Sequence, residues 1–232
     1  MITLRKASER GYANHGWLES WHSFSFADYH DPAHVHFGSL RVINDDTVQA
    51  GYGFPTHGHR DMEILSYVLS GTLEHKDSMG NGTQMRYGEV QLMCAGTGVQ
   101  HSEFNPSHEE ATHFLQIWIM PGQQGLAPGY QQKSFTVEEK QGRWCLLISP
   151  DAAEGSLLLH QDARVYATIL KARESLGYAL QSGRKAYLHV VRGSVTVAGE
   201  RLQAGDAVMV NNETGLQVRA EEGAELLLFD LG

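Results

Sequence analysis

Short apolar runs, cut by turn residues about every ten positions, leave this chain few folds to choose from. LRVIN at 40–44, MEILSYVLS at 62–70, EVQLMCA at 89–95 and THFLQIWIM at 112–120 occupy the first half. RWCLLIS, SLLLH, ARVYATIL, KAYLHVV, SVTVA, DAVMVN and ELLLFDL follow from Arg143 onward. Between them lie glycine, asparagine and aspartate, most densely at Met79-Gly80-Asn81-Gly82. These residues accept the positive φ that tight turns demand. Such spacing predicts an all-β chain of antiparallel strands in barrels or sandwiches. SFSFADY at 23–29 alternates as a strand would, up to the break at Asp31-Pro32. Helix is expected only as a turn near Val137–Gln141.

The second half repeats the first. With Gly71 set on Gly193, SYVLSGTL falls on LHVVRGSV; with Gly88 set on Gly205, GEVQLM falls on GDAVMV. Two barrels of one architecture are therefore expected, residues 1–130 and 131–232. The polar stretch 121–142 is expected to link them.

The two copies differ in chemistry. His57 and His59 lie two apart, so on a strand both face one side. His101 and Glu103 repeat that spacing on the run after Gly88. At the same offsets the second copy has Ala179, Gln181, Val218 and Ala220, none of which binds a metal. A lone His-x-His pair means little in a chain with 13 histidines, and His34 and His36 form another. Three imidazoles and a carboxylate on neighbouring strands are a stronger signal, because that set holds a divalent metal and leaves positions open.

Glu63 competes with Glu103 as the carboxylate. Counted from His59 it shares the inward parity, but counted back from Gly71 it is one place out and turns to the other face. Glu103 has no such conflict, so Glu63 is expected outside the ligand set, paired with Arg60 or Lys76.

Net charge is −9, which argues against a phosphate-binding face and direct nucleic-acid contact. Cys94 and Cys145 form neither a metal-spaced pair nor a disulfide framework. MITLRKASER lacks the apolar core of a signal peptide, and no run approaches the 18 apolar residues of a membrane span. The expected compartment is the cytoplasm. His22, His34 and His36 belong to an aromatic N-terminal arm that either reaches the site or lies on the surface. Phe54, Met62, Met93 and Phe104 are candidates for an apolar cavity lining, and equally for plain core.

The two histidine blocks resemble the paired motifs of the cupin superfamily. Gly51, His57, His59 and Gly71 match the first; Gly98, His101 and Asn105 match the second, with Gly96 where proline is usual. The finer wording, GFPTHGHRDMEILSYVLSG, LEHKDSMGN, MCAGTGVQHSE and GWLESWHSFSFADY, is similar to the pirin family. The likeness runs from Arg5 to the end, closely to residue 120 and loosely beyond. It implies a bicupin of two jelly-roll barrels, the second degenerate. It implies one divalent metal ion per chain on His57, His59, His101 and Glu103, iron first, with zinc, copper, cobalt, nickel or manganese as alternatives. It further implies a quercetin 2,3-dioxygenase that consumes a flavonol and O₂ and releases carbon monoxide, with Glu103 taking the substrate proton. A regulatory module acting through a protein partner, or a cupin enzyme of another class such as a sugar isomerase, would use the same ligands.

Overall fold

Side-chain alternation along the strands determines how the sheets stack. The computed structural model describes all 232 residues. Its strands are β1 (Ile2–Arg5), β2 (Gly11–Asn14), β3 (Leu18–His22), β4 (Leu40–Val48), β5 (Gly53–His59), β6 (Glu63–Ser70), β7 (Thr72–Asp77), β8 (Gly82–Arg86), β9 (Glu89–Cys94), β10 (Val99–Phe104), β11 (Thr112–Ile119) and β12 (Gly129–Ser134). After one helical turn, α1 (Val137–Lys140), come β13 (Cys145–Ser149), β14 (Leu157–Leu158), β15 (Ala163–Leu170), β16 (Ser175–Ala179), β17 (Lys185–Arg192), β18 (Ser194–Val197), β19 (Glu200–Gln203), β20 (Ala207–Asn211), β21 (Gly215–Ala220) and β22 (Ala224–Leu231). The first unit pairs a seven-stranded sheet, β12-β9-β6-β11-β4-β3-β2, with a four-stranded one, β5-β10-β7-β8. The second repeats this with β1-β20-β17-β22-β15-β13-β14 and β16-β21-β18-β19. The sheets of a unit do not join at their edges, so each is an open jelly-roll sandwich rather than a closed barrel. No helix is long and apolar enough to cross a membrane.

The two large sheets face each other. Leu115, Ile117 and Ile119 of β11 and Leu65, Tyr67 and Leu69 of β6 pack in one core with Leu227, Phe229 and Leu231 of β22. The residues between them point into their own unit. In the second unit this interior is one apolar cluster of 16 residues that includes Val218 and Ala220. In the first it is split into clusters of six and four residues. Between these lie the buried polar groups Ser66, His75, Gln91, His101, Glu103 and Gln116.

Strand exchange closes the seam. β1 pairs with β20 of the second unit. β12, inside the expected linker, pairs with β9 of the first, so the division expected after residue 130 falls within a strand. Pairing removes the exposed edges of β9 and β20. SFSFADY is not a strand. Ala27 adopts φ 47°, Phe26 and Tyr29 close a tight bridge, and the Ser25 side chain is tied to Asp31. The strand lies just before it, at Leu18–His22. The helical turn falls where expected, with Thr136 capping the Glu139 amide.

Lys140 ends that turn with its ammonium buried at the seam, 3.2 Å from Glu225 and 3.1 Å from the Tyr67 hydroxyl. Glu225 also accepts from the hydroxyls of Tyr67 and Tyr87. Removing one partner of a buried pair strands the other charge in a medium that cannot solvate it. Lys140→Met is therefore expected to lower stability by about 3–5 kcal/mol in urea unfolding. An unchanged midpoint and slope would show that the pair does not hold the seam.

Candidate metal centre

The four-stranded sheet of the first unit carries the site on its inward face. β10 lies between β5 and β7, with His101 opposite His57 on one side and Glu103 opposite His75 on the other. The β5–β10 register slips between His101 and Glu103, so Pro55 and Thr56 together oppose one residue of β10. Proline has no N–H to give a ladder, and a bulge is where a strand tolerates it. The Pro55 carbonyl at this bulge lies 2.8 Å from His57 Nδ1. The His57 Nδ1–H therefore donates there, and the Nε2 lone pair faces the cavity.

The rings of His57, His59 and His101 meet with centroids 4.5–4.8 Å apart. Their donor nitrogens lie within 4.8 Å of one another, and His57 Nε2 is 3.0 Å from His101 Nε2. Burial, reinforced by His57, holds His59 down at about 4. Burial with His57 and His59 holds His101 at about 3. At neutral pH these are uncharged imidazoles, the form that donates to a metal. His101 Nδ1 is buried without a partner.

Glu103 is 2% exposed, and burial pushes its carboxyl up to about 7. Oε2 accepts from Gln116 at 2.6 Å and Oε1 from Ser66 at 3.2 Å, leaving one lone pair on each oxygen. It groups within 4.8 Å with His101 and His75. The histidine triad and the His75–His101–Glu103 group thus share His101. Such a set can hold a divalent ion.

A cavity of about 390 Å³ opens onto His57, His59 and Glu103, within the size range of small-molecule sites. Leu18, Phe26, Tyr29, Phe54 and Trp118 supply its apolar wall; His22, Asn44, Asp46 and Gln116 supply polar groups. The family model described as pirin matches residues 3–119. The chain belongs to the pirin family. A model described as the quercetinase C-terminal cupin domain matches residues 146–231. A protein of Escherichia coli (strain K12) named quercetin 2,3-dioxygenase is 51% identical over 232 residues, all of this chain and 99% of that one. A pirin-like protein of Caulobacter vibrioides is 41% identical over 99% of both chains. The solved structure of the bacterial pirin YhhW from Escherichia coli in complex with nickel(II) superposes with a TM-score of 0.95 at 51% identity, covering 100% of this chain and 99% of that one.

Several residues of this pirin sit where sequence alone does not place them. His75 joins the site, fully buried, with Nε2 2.9 Å from Asp77 and Nδ1 unpartnered. Its signal was parity with buried Leu73 on TLEHKD. His22 lines the cavity and is 2.9 Å from Asn44, while His34 and His36 do not reach it. Of the four apolar candidates only Phe54 lines the cavity; Met62 and Met93 pack in a core cluster beside it. Glu63 faces away from the cavity, as the count from Gly71 implies. Its partner is His160, at 2.9 Å, rather than Arg60 or Lys76.

Asp46 lines the same cavity, hydrogen-bonded by Ser20, and burial pushes its carboxyl from 3.8 to about 7. A raised folded pKa means that the native state holds the proton more tightly than the unfolded chain. This stabilisation is complete below pH 3.8 and is lost as pH rises through about 7. In metal-stripped protein, Asp46→Asn should flatten the fall in stability across that window. An unchanged slope in denaturant unfolding at several pH values would contradict it.

Proposed function

We propose that this protein is a metal-dependent dioxygenase of the cytoplasm. It opens a flavonol such as quercetin with O₂ and releases carbon monoxide, with a divalent ion on His57, His59, His101 and Glu103. The observation that carries this reading is the aromatic-walled cavity, which opens on His57, His59 and the buried Glu103 carboxyl. The full-length likeness to a protein named quercetin 2,3-dioxygenase supports the substrate class. The nickel complex of a bacterial pirin supports the divalent ion, with iron the first choice here.

The bound ion supplies Lewis acidity, which lowers the pKa of a flavonol hydroxyl in contact with it. The protein supplies the rest. Glu103, kept in place by Gln116 and Ser66, takes the hydroxyl proton. A carboxylate held at the edge of the ion lies within reach of that proton. Phe26, Phe54 and Trp118 line the space that would receive flat rings and favour them over water. The Pro55 carbonyl fixes the His57 tautomer, so the ring is oriented before an ion arrives.

The test is quercetin loss and carbon monoxide release by untagged protein, stripped with a chelator and reloaded with each divalent metal in turn. Stripped protein should be inactive, and at least one metal should restore turnover. Glu103→Gln should lower turnover by about 10²–10⁴-fold. If no reloaded form consumes a flavonol above the buffer rate, the dioxygenase reading fails. If Glu103→Gln keeps full turnover, its role fails.

A further inference from the structure

On the face of β6 and β9 turned toward the second unit, Glu63 and Cys94 are directly opposed across the ladder. His160, after β14, comes over from the second unit, and the donor atoms of the three lie within 4.8 Å of one another. We propose that Glu63, Cys94 and His160 form a second cation site at the seam between the units, for a thiophilic divalent ion such as Zn²⁺.

This cluster is separate from the cavity. Along β6, Ser66 points inward to Glu103, whereas Glu63 is an odd number of residues away and lies on the opposite face. Glu63 is 1% exposed. One of its oxygens is 2.9 Å from His160 Nδ1, and the other, Oε2, is buried with no nitrogen or oxygen partner, the Cys94 thiol being the one other donor to this carboxyl. A thiol is a weak donor, a poorly satisfied buried carboxylate oxygen is costly, and a cation is one way to satisfy it. One sulfur, one imidazole nitrogen and one carboxylate make a donor set for zinc, and one too poor in oxygen for calcium or magnesium. Donors about 2.0–2.3 Å from a tetrahedral ion lie roughly 3.3–3.8 Å apart, so the cluster needs only modest closure. His160 can provide it. Its side chain is 36% exposed, which also opens an entry path, while its carbonyl is tied to the Gly122 amide at 2.7 Å. Burial and the Glu63 charge push the Cys94 thiol up to about 12. Ion uptake must therefore displace a thiol proton, which makes this site weaker than the cavity and more dependent on pH.

Cobalt tests the proposal, because the cavity contains no sulfur. Untagged, metal-stripped, full-length protein is titrated with Co²⁺, and the near-ultraviolet sulfur-to-cobalt charge-transfer band is followed. The band should appear, persist in His57→Ala/His101→Ala and in Cys145→Ser, and vanish in Cys94→Ser. His160→Ala should need at least about tenfold more cobalt. Zinc should raise the melting temperature of His57→Ala/His101→Ala, and adding Cys94→Ser should cancel the rise. No band at saturating cobalt, or a band that survives Cys94→Ser, would overturn the proposal, leaving Glu63 and His160 as a plain hydrogen-bonded pair.

Discussion

A sandwich interior must be apolar or have its polar groups satisfied, because buried donors and acceptors have lost water. The two units meet this demand in opposite ways. The second fills its interior with aliphatic side chains, Val218 and Ala220 among them. The first places His101 and Glu103 on the equivalent strand and surrounds them with Ser66, His75 and Gln116. Two atoms of that polar cluster, His75 Nδ1 and His101 Nδ1, find no partner within the protein. An interior that turns the Nε2 atoms of His57 and His101 on one another, 3.0 Å apart, makes sense when something bound there takes their lone pairs. Loss of a continuous apolar core is the cost of the site.

The large sheets offset that cost. Each is buried on both faces, one toward its own small sheet and one toward the other unit. The second unit thus contributes no side chain to the cavity lining and still supports it, by holding β6, β9 and β11 from behind. Tyr67 shows the coupling: its ring lies in the shared core, while its hydroxyl meets Glu225 beside Lys140.

Much of this was legible from local rules. Glycine spacing and alternation specify antiparallel sandwiches, and the offset repeat separates the polar interior from the apolar one. The structure brings His57, His59, His101 and Glu103 to one face because residues two apart on a strand share a side. Parity also settles Glu63, once the strand is counted from Gly71. What was not legible depends on contacts distant in sequence. His160 meets Glu63 across 97 residues, and no local pattern reports such a pairing. His22 reaches the cavity because β3 pairs with β4 as a neighbour of β11. SFSFADY misleads because alternation alone does not reveal the side-chain bonds from Ser25 to the Asp31 backbone that fold it into a bridge.

The central claim is that the polar interior of the first unit is a metal site built by strand parity. Anomalous diffraction at the metal edge, from crystals of protein reloaded with iron or nickel, measures this directly. The account predicts one strong peak inside the first unit, within bonding distance of His57, His59, His101 and Glu103, and none inside the second. A peak elsewhere with that cavity empty, or a peak ligated by Glu63 in place of Glu103, would contradict it.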